Sequence, residues 1–217
     1  MEHPKTWAMI ETMAGMQAAY NREVHPQWEQ QGFRFYRAVW VECAELLDHY
    51  GWKWWKHQRP DLAQVKLEIV DIWHFGMSDM LRAGTLRPDT AAAMLAPLVA
   101  VDAAAQHEPE AFRESVEQLA LLSLRDQGFP LPAFVDVLRA LPLPFDELFA
   151  LYVGKNVLNS FRLAHGYKAG TYAKRWSGRE DNEHLVELLA GLDCPPSEVP
   201  ETLYAELSVR YQASRGS

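Results

Sequence analysis

The stretch PDLAQVKLEIVDIWHFGMSDMLRAG, Pro60 to Gly84, decides the fold. Pro60-Asp61 reads as a helix start. Leu62, Val65, Leu67, Ile69, Val70, Ile72, Phe75 and Leu81 then recur at helical spacing. Gly84 is the expected stop, because glycine takes the left-handed turn that ends a helix. Two acids three residues apart, Glu68 and Asp71, sit inside this apolar run. Upstream, Phe35–Tyr50 repeats the pattern with Val39, Val41, Ala44, Leu46 and Leu47. It stops at Gly51 and carries Glu42 and Glu45 at the same spacing. Residues 6–21 form a further helical pattern through Trp7, Ile10, Met13, Met16 and Tyr20.

Downstream the helical reading continues. Pro88–Gln106 is Ala-rich, Ala111–Asp126 and Pro132–Ala140 are shorter candidates, and Pro144–His165 is long and ends at Gly166. After a loop rich in Gly and Tyr, Asp181–Leu189 and Pro200–Tyr211 complete the set. No alternating β-branched run flanked by Asn-Gly or Asp-Gly turns occurs, so the expectation is an all-α chain without a sheet. Neither an internal repeat nor a low-complexity linker is found. A single domain over 1–217 is expected, with 88–143 as a helical insertion between two chemically loaded regions.

The composition narrows the function classes. The chain has 217 residues, a net charge of -8 and a pI near 5.5, which argues against a general nucleic-acid binder. Cys43 and Cys194 are far apart and in no CxxC pattern, so a reducing cytoplasm is expected. Neither a charged-then-apolar leader nor a run of about 18 apolar residues is present, so no membrane partner is expected. The charge is uneven. Leu148 to Arg179 holds no Asp or Glu but contains Lys155, Arg162, Lys168, Lys174, Arg175 and Arg179. Acidic clusters and a separate basic segment suit a site for both cations and phosphates.

Residues three apart on a helix share a face, so Glu42 with Glu45, and Glu68 with Asp71, each project two carboxylates together. Gathered in apolar surroundings, four carboxylates need compensation, which hard divalent cations supply. Mg²⁺ suits oxygen ligands and substrate phosphates; zinc does not, because no His or Cys shares the spacing. In the basic segment, Lys155, Asn159 and Arg162 fall at i, i+4 and i+7 on one stripe. Gly166-Tyr167-Lys168-Ala169-Gly170 follows as a loop able to approach a ligand. Arg and Lys are natural phosphate partners, and Asn both donates and accepts, as reading a base edge requires. Trp52, Trp54, Trp55, His74 and Phe75 offer aromatic surface for a base, and Gln17 and Asn21 a polar pair on the first helix.

Taken together these blocks resemble the dimeric dUTPase family, a branch of the all-α NTP pyrophosphatases. The resemblance rests on Met16–Asn21, Glu42–Asp48 running into Gly51–Lys56, Glu68–Phe75, and Lys155–Asn159 through Phe161-Arg162, Gly166–Lys168, Lys174 and Glu180–Asn182. It implies a multi-helix bundle of the pyrophosphatase type, usually a homodimer, that hydrolyses dUTP and often dUDP to dUMP using Mg²⁺. By the same resemblance Glu42, Glu45, Glu68 and Asp71 are metal ligands. Glu42 and Glu45 are the catalytic pair, and Glu42 is the one that deprotonates the attacking water. Attack falls on the β-phosphorus. Gln17, Trp54, His74, Phe75 and Asn159 form the uracil and deoxyribose pocket, with Asn21 close by. Lys155, Arg162, Tyr167, Lys168 and Lys174 hold phosphates. Tyr20 departs from the family's commoner aliphatic residue, and 88–143 has no counterpart in the resemblance. Two alternatives stay open: a sister pyrophosphatase with dCTP or broad specificity, and a non-catalytic nucleotide-binding helical protein.

Overall fold

The computed structural model describes residues 3–86, 96–194 and 198–215. It is all-α apart from one very short hairpin. The chain divides into two compact units, Met1–Phe149 and Ala150–Ser217.

In the first unit, α1 (His3–Val24), α2 (Phe35–Tyr50), α3 (Leu62–Ala83), α4 (Pro109–Asp126) and α5 (Leu131–Ala140) pack around α3 and α2. The run that decided the reading is the centre of this unit. Val65, Leu67, Ile69, Val70, Ile72, Trp73 and Met77 are all buried, so α3 is covered on most of its circumference. Asp61 caps it, its carboxylate accepting from the Gln64 N–H at 3.2 Å, and Gly84 ends it at φ 65°. Trp73 stacks on Phe134 with centroids 5.2 Å apart. Phe129 lies against Gly76 so closely that a Cβ there would meet the ring at 2.5 Å, so only glycine admits this ring against the α3 backbone.

The segment expected as an insertion is tied to α2. His107 Nδ1 lies 2.6 Å from the Ala140 carbonyl, which can only accept, so Nδ1 is the protonated nitrogen. Nε2 then accepts from the Tyr50 hydroxyl at 2.7 Å. Arg113 on α4 donates to the Gly51 carbonyl at 2.8 Å and lies over the Tyr50 ring. Of the helix expected over Pro88–Gln106, residues 88–95 lie outside the described residues. The described remainder is helical only over 96–99.

The second unit comprises most of α6 (Phe145–Ala164), the strands β1 (Arg175–Trp176) and β2 (Arg179–Glu180), α7 (Asp181–Gly191) and α8 (Val199–Arg215). Its core is aromatic: Phe161, Trp176 and Tyr211 are buried together, with Tyr172 stacked on Tyr211 at 5.5 Å. The two-residue antiparallel pair β1–β2 departs from the expectation of no sheet. Ser177 and Gly178 turn it with φ of 48° and 83°. Ser-Gly does here what Asn-Gly does elsewhere, which a search for Asn-Gly and Asp-Gly alone passes over.

Because the Asp61 cap satisfies an orphan N–H of the central helix, Asp61→Ala is expected to cost about 1 kcal/mol. For a chain of this length that lowers the melting midpoint by roughly 2–4 °C, readable by circular dichroism. An unchanged midpoint would mean water replaces the cap.

Candidate functional site

The packing of α2 on α3 brings acids from both helices together. Glu42, Glu68 and Asp71 each offer a carboxylate oxygen, and these lie within 4.8 Å of one another. Glu68 is buried; Glu42 and Asp71 are half-buried. Burial, then the like charges of Asp71, Glu68 and Glu45, push Glu42 up to about 9 from an ordinary 4.5. A hydrogen bond between Glu42 and Glu68 adds to this, so the pair shares a proton when no cation is present. Glu45, the fourth acid of the expected set, is exposed and does not join the group of three. Its charge, one turn along α2, acts on Glu42.

Sequence reading missed one neighbour. His49 Nε2 lies 3.7 Å from Glu68 Oε1. Its place one turn after Glu45 on α2 was the available signal. Cys43, buried beside Glu42, has its thiol pushed up to about 12, chiefly by burial and then by the Glu42 charge. It is an inert packing residue.

A second polar group is buried between α1 and α3. The Ser78 hydroxyl donates to the His74 carbonyl at 2.8 Å and accepts from Asn21 Nδ2 at 3.0 Å. Asn21 Oδ1 accepts from Gln17 Nε2 at 3.0 Å, and Gln17 Oε1 lies 2.7 Å from His74 Nδ1. The chain has one consistent direction. It begins at a carbonyl that can only accept and ends with His74 Nδ1 as donor to Gln17 Oε1, which fixes the orientation of the ring. Three of the expected pocket residues, Gln17, Asn21 and His74, are thus assembled, with Ser78 added to them. Phe75 is half-buried. Trp54 is 90% exposed and edge-on to Trp55 at 5.5 Å, not enclosed in a pocket.

In the second unit the expected phosphate residues separate into two kinds. Lys155 is 1% exposed and donates to Asn182 Oδ1 at 3.0 Å. Arg162 forks onto Asp181, with Nε to Oδ2 and Nη2 to Oδ1 both at 2.8 Å. It also donates from Nη2 to Asn182 and from Nη1 to Asn159, both at 3.2 Å. Burial would raise Asp181, but the Arg162 hydrogen bonds and charge outweigh it and hold the carboxyl below its usual range. Tyr172 donates to the same carboxylate at 2.8 Å, and its hydroxyl is pushed up by burial and by the Asp181 charge. Tyr167, Lys168 and Lys174 are exposed. Gly166 and Gly170 in this loop serve the turn itself. Gly166 has φ 92°, and a Cβ there would strike the Thr171 hydroxyl.

The donor set of three close carboxylates fits a hard divalent cation, which would offset the burial and like charge that raise Glu42. A group whose folded pKa is raised contributes stability below its unfolded pKa and loses it as pH climbs toward the folded value. The window is therefore pH 4.5 to about 9. In EDTA, Glu42→Gln is expected to raise the melting midpoint at pH 8 by about 3–6 °C and to leave it unchanged near pH 4. A melting series against pH reads this; a drop at pH 8 would mean that the three carboxylates do not repel one another.

Comparison with known proteins agrees with this geometry. The profile of the dUTPase family matches residues 9–167, most of the chain, including the carboxylates, the α1–α3 polar group and the 88–143 segment. No curated protein matches significantly. Lys168, Lys174 and the Asp181-Asn182 pair lie beyond the matched region. A match of this extent, on an all-helical fold that gathers acids from two helices, makes the chain a member of the all-α dUTPase family, whose enzymes are dUTP diphosphatases.

Proposed function

We propose that the chain hydrolyses dUTP, and also dUDP, to dUMP with Mg²⁺ held by Glu42, Glu68 and Asp71, and with Glu45 completing the set. The observation that carries this reading is the approach of three carboxylate oxygens within 4.8 Å, an arrangement costly to leave without a cation. Mg²⁺ bound there supplies positive charge against the triphosphate and makes water more acidic. Glu42, in its ionised form, orients the attacking water and takes its proton. Glu45 adds negative charge to the same side. Lys155, Arg162, Tyr167, Lys168 and Lys174 meet the phosphates, whose charge grows at the cleaved bridge. Gln17, Asn21, Trp54, His74, Phe75 and Asn159 receive the nucleoside. Within that group the directed chain from Ser78 to His74 fixes Nδ1 as a donor to Gln17 and so holds the ring in one orientation.

The same proposal includes a homodimer in the cytoplasm. Both cysteines are free thiols, as a reducing compartment requires, and no helix among the described residues is long and apolar enough to cross a membrane.

The test is product release from dUTP, dUDP, dCTP, dTTP and UTP, each with Mg²⁺ and with EDTA. Mg²⁺-dependent cleavage of dUTP well above dCTP, dTTP and UTP is expected, with kcat falling at least ~100-fold in Glu42→Gln. Mg²⁺ is also expected to raise the melting midpoint of the wild type and not that of Glu42→Gln. Equal cleavage of dCTP would keep the metal site and favour a sister pyrophosphatase of broad specificity. Cleavage in EDTA at the full rate would overturn the metal assignment.

A further inference from the structure

Asn159 carries an amide, and an amide is ambiguous. In one orientation its Oδ1 and Nδ2 match the N3–H donor and O4 acceptor of uracil. Turned by 180° about its last torsion, the same side chain matches the N3 acceptor and the N4 amino donor of cytosine. An amide that rotates freely therefore reads both pyrimidines.

Asn159 does not rotate freely. Arg162, one helical turn later, places Nη1 at 3.2 Å from Asn159 Oδ1. A guanidinium has five donors and no acceptor, so its chemistry alone assigns the oxygen to this side. Rotation would set the amide NH₂ against the guanidinium NH₂, two donors facing each other in a half-buried place. Arg162 is held in turn. Asp181, fully buried at the first position of α7, takes Nε and Nη2 in a two-point fork at 2.8 Å each. Asn182, also buried, accepts from Nη2 and from Lys155 Nζ. Both donors to Asn182 lack acceptors, so its oxygen faces them as well. Tyr172 adds a third hydrogen bond to Asp181, on the Oδ2 that also accepts from Arg162 Nε.

We infer that Asp181 and Arg162 are positioning residues for base selection: Arg162, a group that only donates and is held in place by the buried Asp181, pins the Asn159 amide in the uracil-reading orientation and so excludes cytosine. The inference rests on the reading that Asn159 meets the base of dUTP. On that reading the second lone pair of Oδ1 accepts from N3–H, and Nδ2, on the opposite side of the amide from Oδ1, donates to O4. Against cytosine the pinned amide sets acceptor to the N3 lone pair and donor to the N4 amino group. A pinned polar group rejects the wrong edge because both sides are left unpaired.

The test compares Arg162→Lys with Arg162→Gln. Both lose the two-point fork onto Asp181, so both lower kcat/KM for dUTP. Lysine is still a donor without an acceptor and keeps the amide pinned. Glutamine offers donor and acceptor alike and permits the rotation. The readout is the ratio of kcat/KM for dUTP over dCTP. The expected result is a ratio near wild type in Arg162→Lys and at least ~10-fold lower in Arg162→Gln. Equal ratios in the two variants, with dUTP and dCTP rates falling in parallel, would overturn the inference and leave Arg162 a phosphate contact. A wild type that cleaves dUTP and dCTP equally would overturn it too, while Mg²⁺-dependent turnover in that same enzyme would keep the proposed reaction. Turnover of neither nucleotide would overturn both. Should Arg162→Gln fail to fold because Asp181 is left uncompensated, the pair Arg162→Gln with Asp181→Asn removes the orphaned charge and gives the same readout.

Discussion

Like-charge crowding at Glu42, Glu68 and Asp71 is the constraint on which the rest of the first unit depends. Nothing in the apolar packing of α2 on α3 calls for acids there. Leu46 and Val39 on one side, and Val70 and Ile72 on the other, would pack as well with neutral neighbours. Instead the contact carries three carboxylates close enough that Glu42 retains its proton far above the ordinary carboxylate range. A fold tolerates such a contact when a ligand repays it in the working state. On the proposed function a cation bound there offsets that cost, and metal affinity, proton release and stability are then coupled at one place.

The second principle of the molecule is orientation by exclusion. Groups that can only donate or only accept fix the direction of groups that do both. The Ala140 carbonyl settles His107, the His74 carbonyl settles Ser78 and through it Asn21, Gln17 and the His74 ring, and Arg162 settles Asn159 and Asn182. Each ambiguous amide or imidazole inherits a single orientation from an unambiguous neighbour. This is preorganisation in hydrogen-bond terms: the directions of these donors and acceptors are set by the protein itself.

The helices were legible because their signals are local. Apolar residues at helical spacing, Asp61 as cap and Gly51 and Gly84 as stops lie within a turn or two of what they control. The carboxylate pairs were legible for the same reason, since i, i+3 spacing is a property of one helix. What spacing could not separate was Glu45 from Glu42. Both occupy the acid-bearing side of α2, but α3 covers only one of them, and coverage is decided by packing between helices. The same limit hid His49. The Arg162–Asp181 fork spans nineteen positions and depends on a hairpin turned by Ser177-Gly178, so periodicity along α6 found the cation without its partner.

That partner also explains why an arginine occupies position 162. A buried ion pair is a poor device for stability, because desolvating both charges offsets most of their attraction, and apolar residues of similar volume serve as well. Asp181 is fully buried and takes three hydrogen bonds from Arg162 and Tyr172. If stability alone were at stake, so polar a cluster beside the aromatic core of Phe161, Trp176 and Tyr211 would have little reason to exist. What it supplies that leucine cannot is a planar group of donors held at two points, with a third edge turned to Asn159. Its worth is directional: it fixes the direction of the Asn159 amide, the group to which the inference above assigns the choice between two pyrimidines of nearly the same shape.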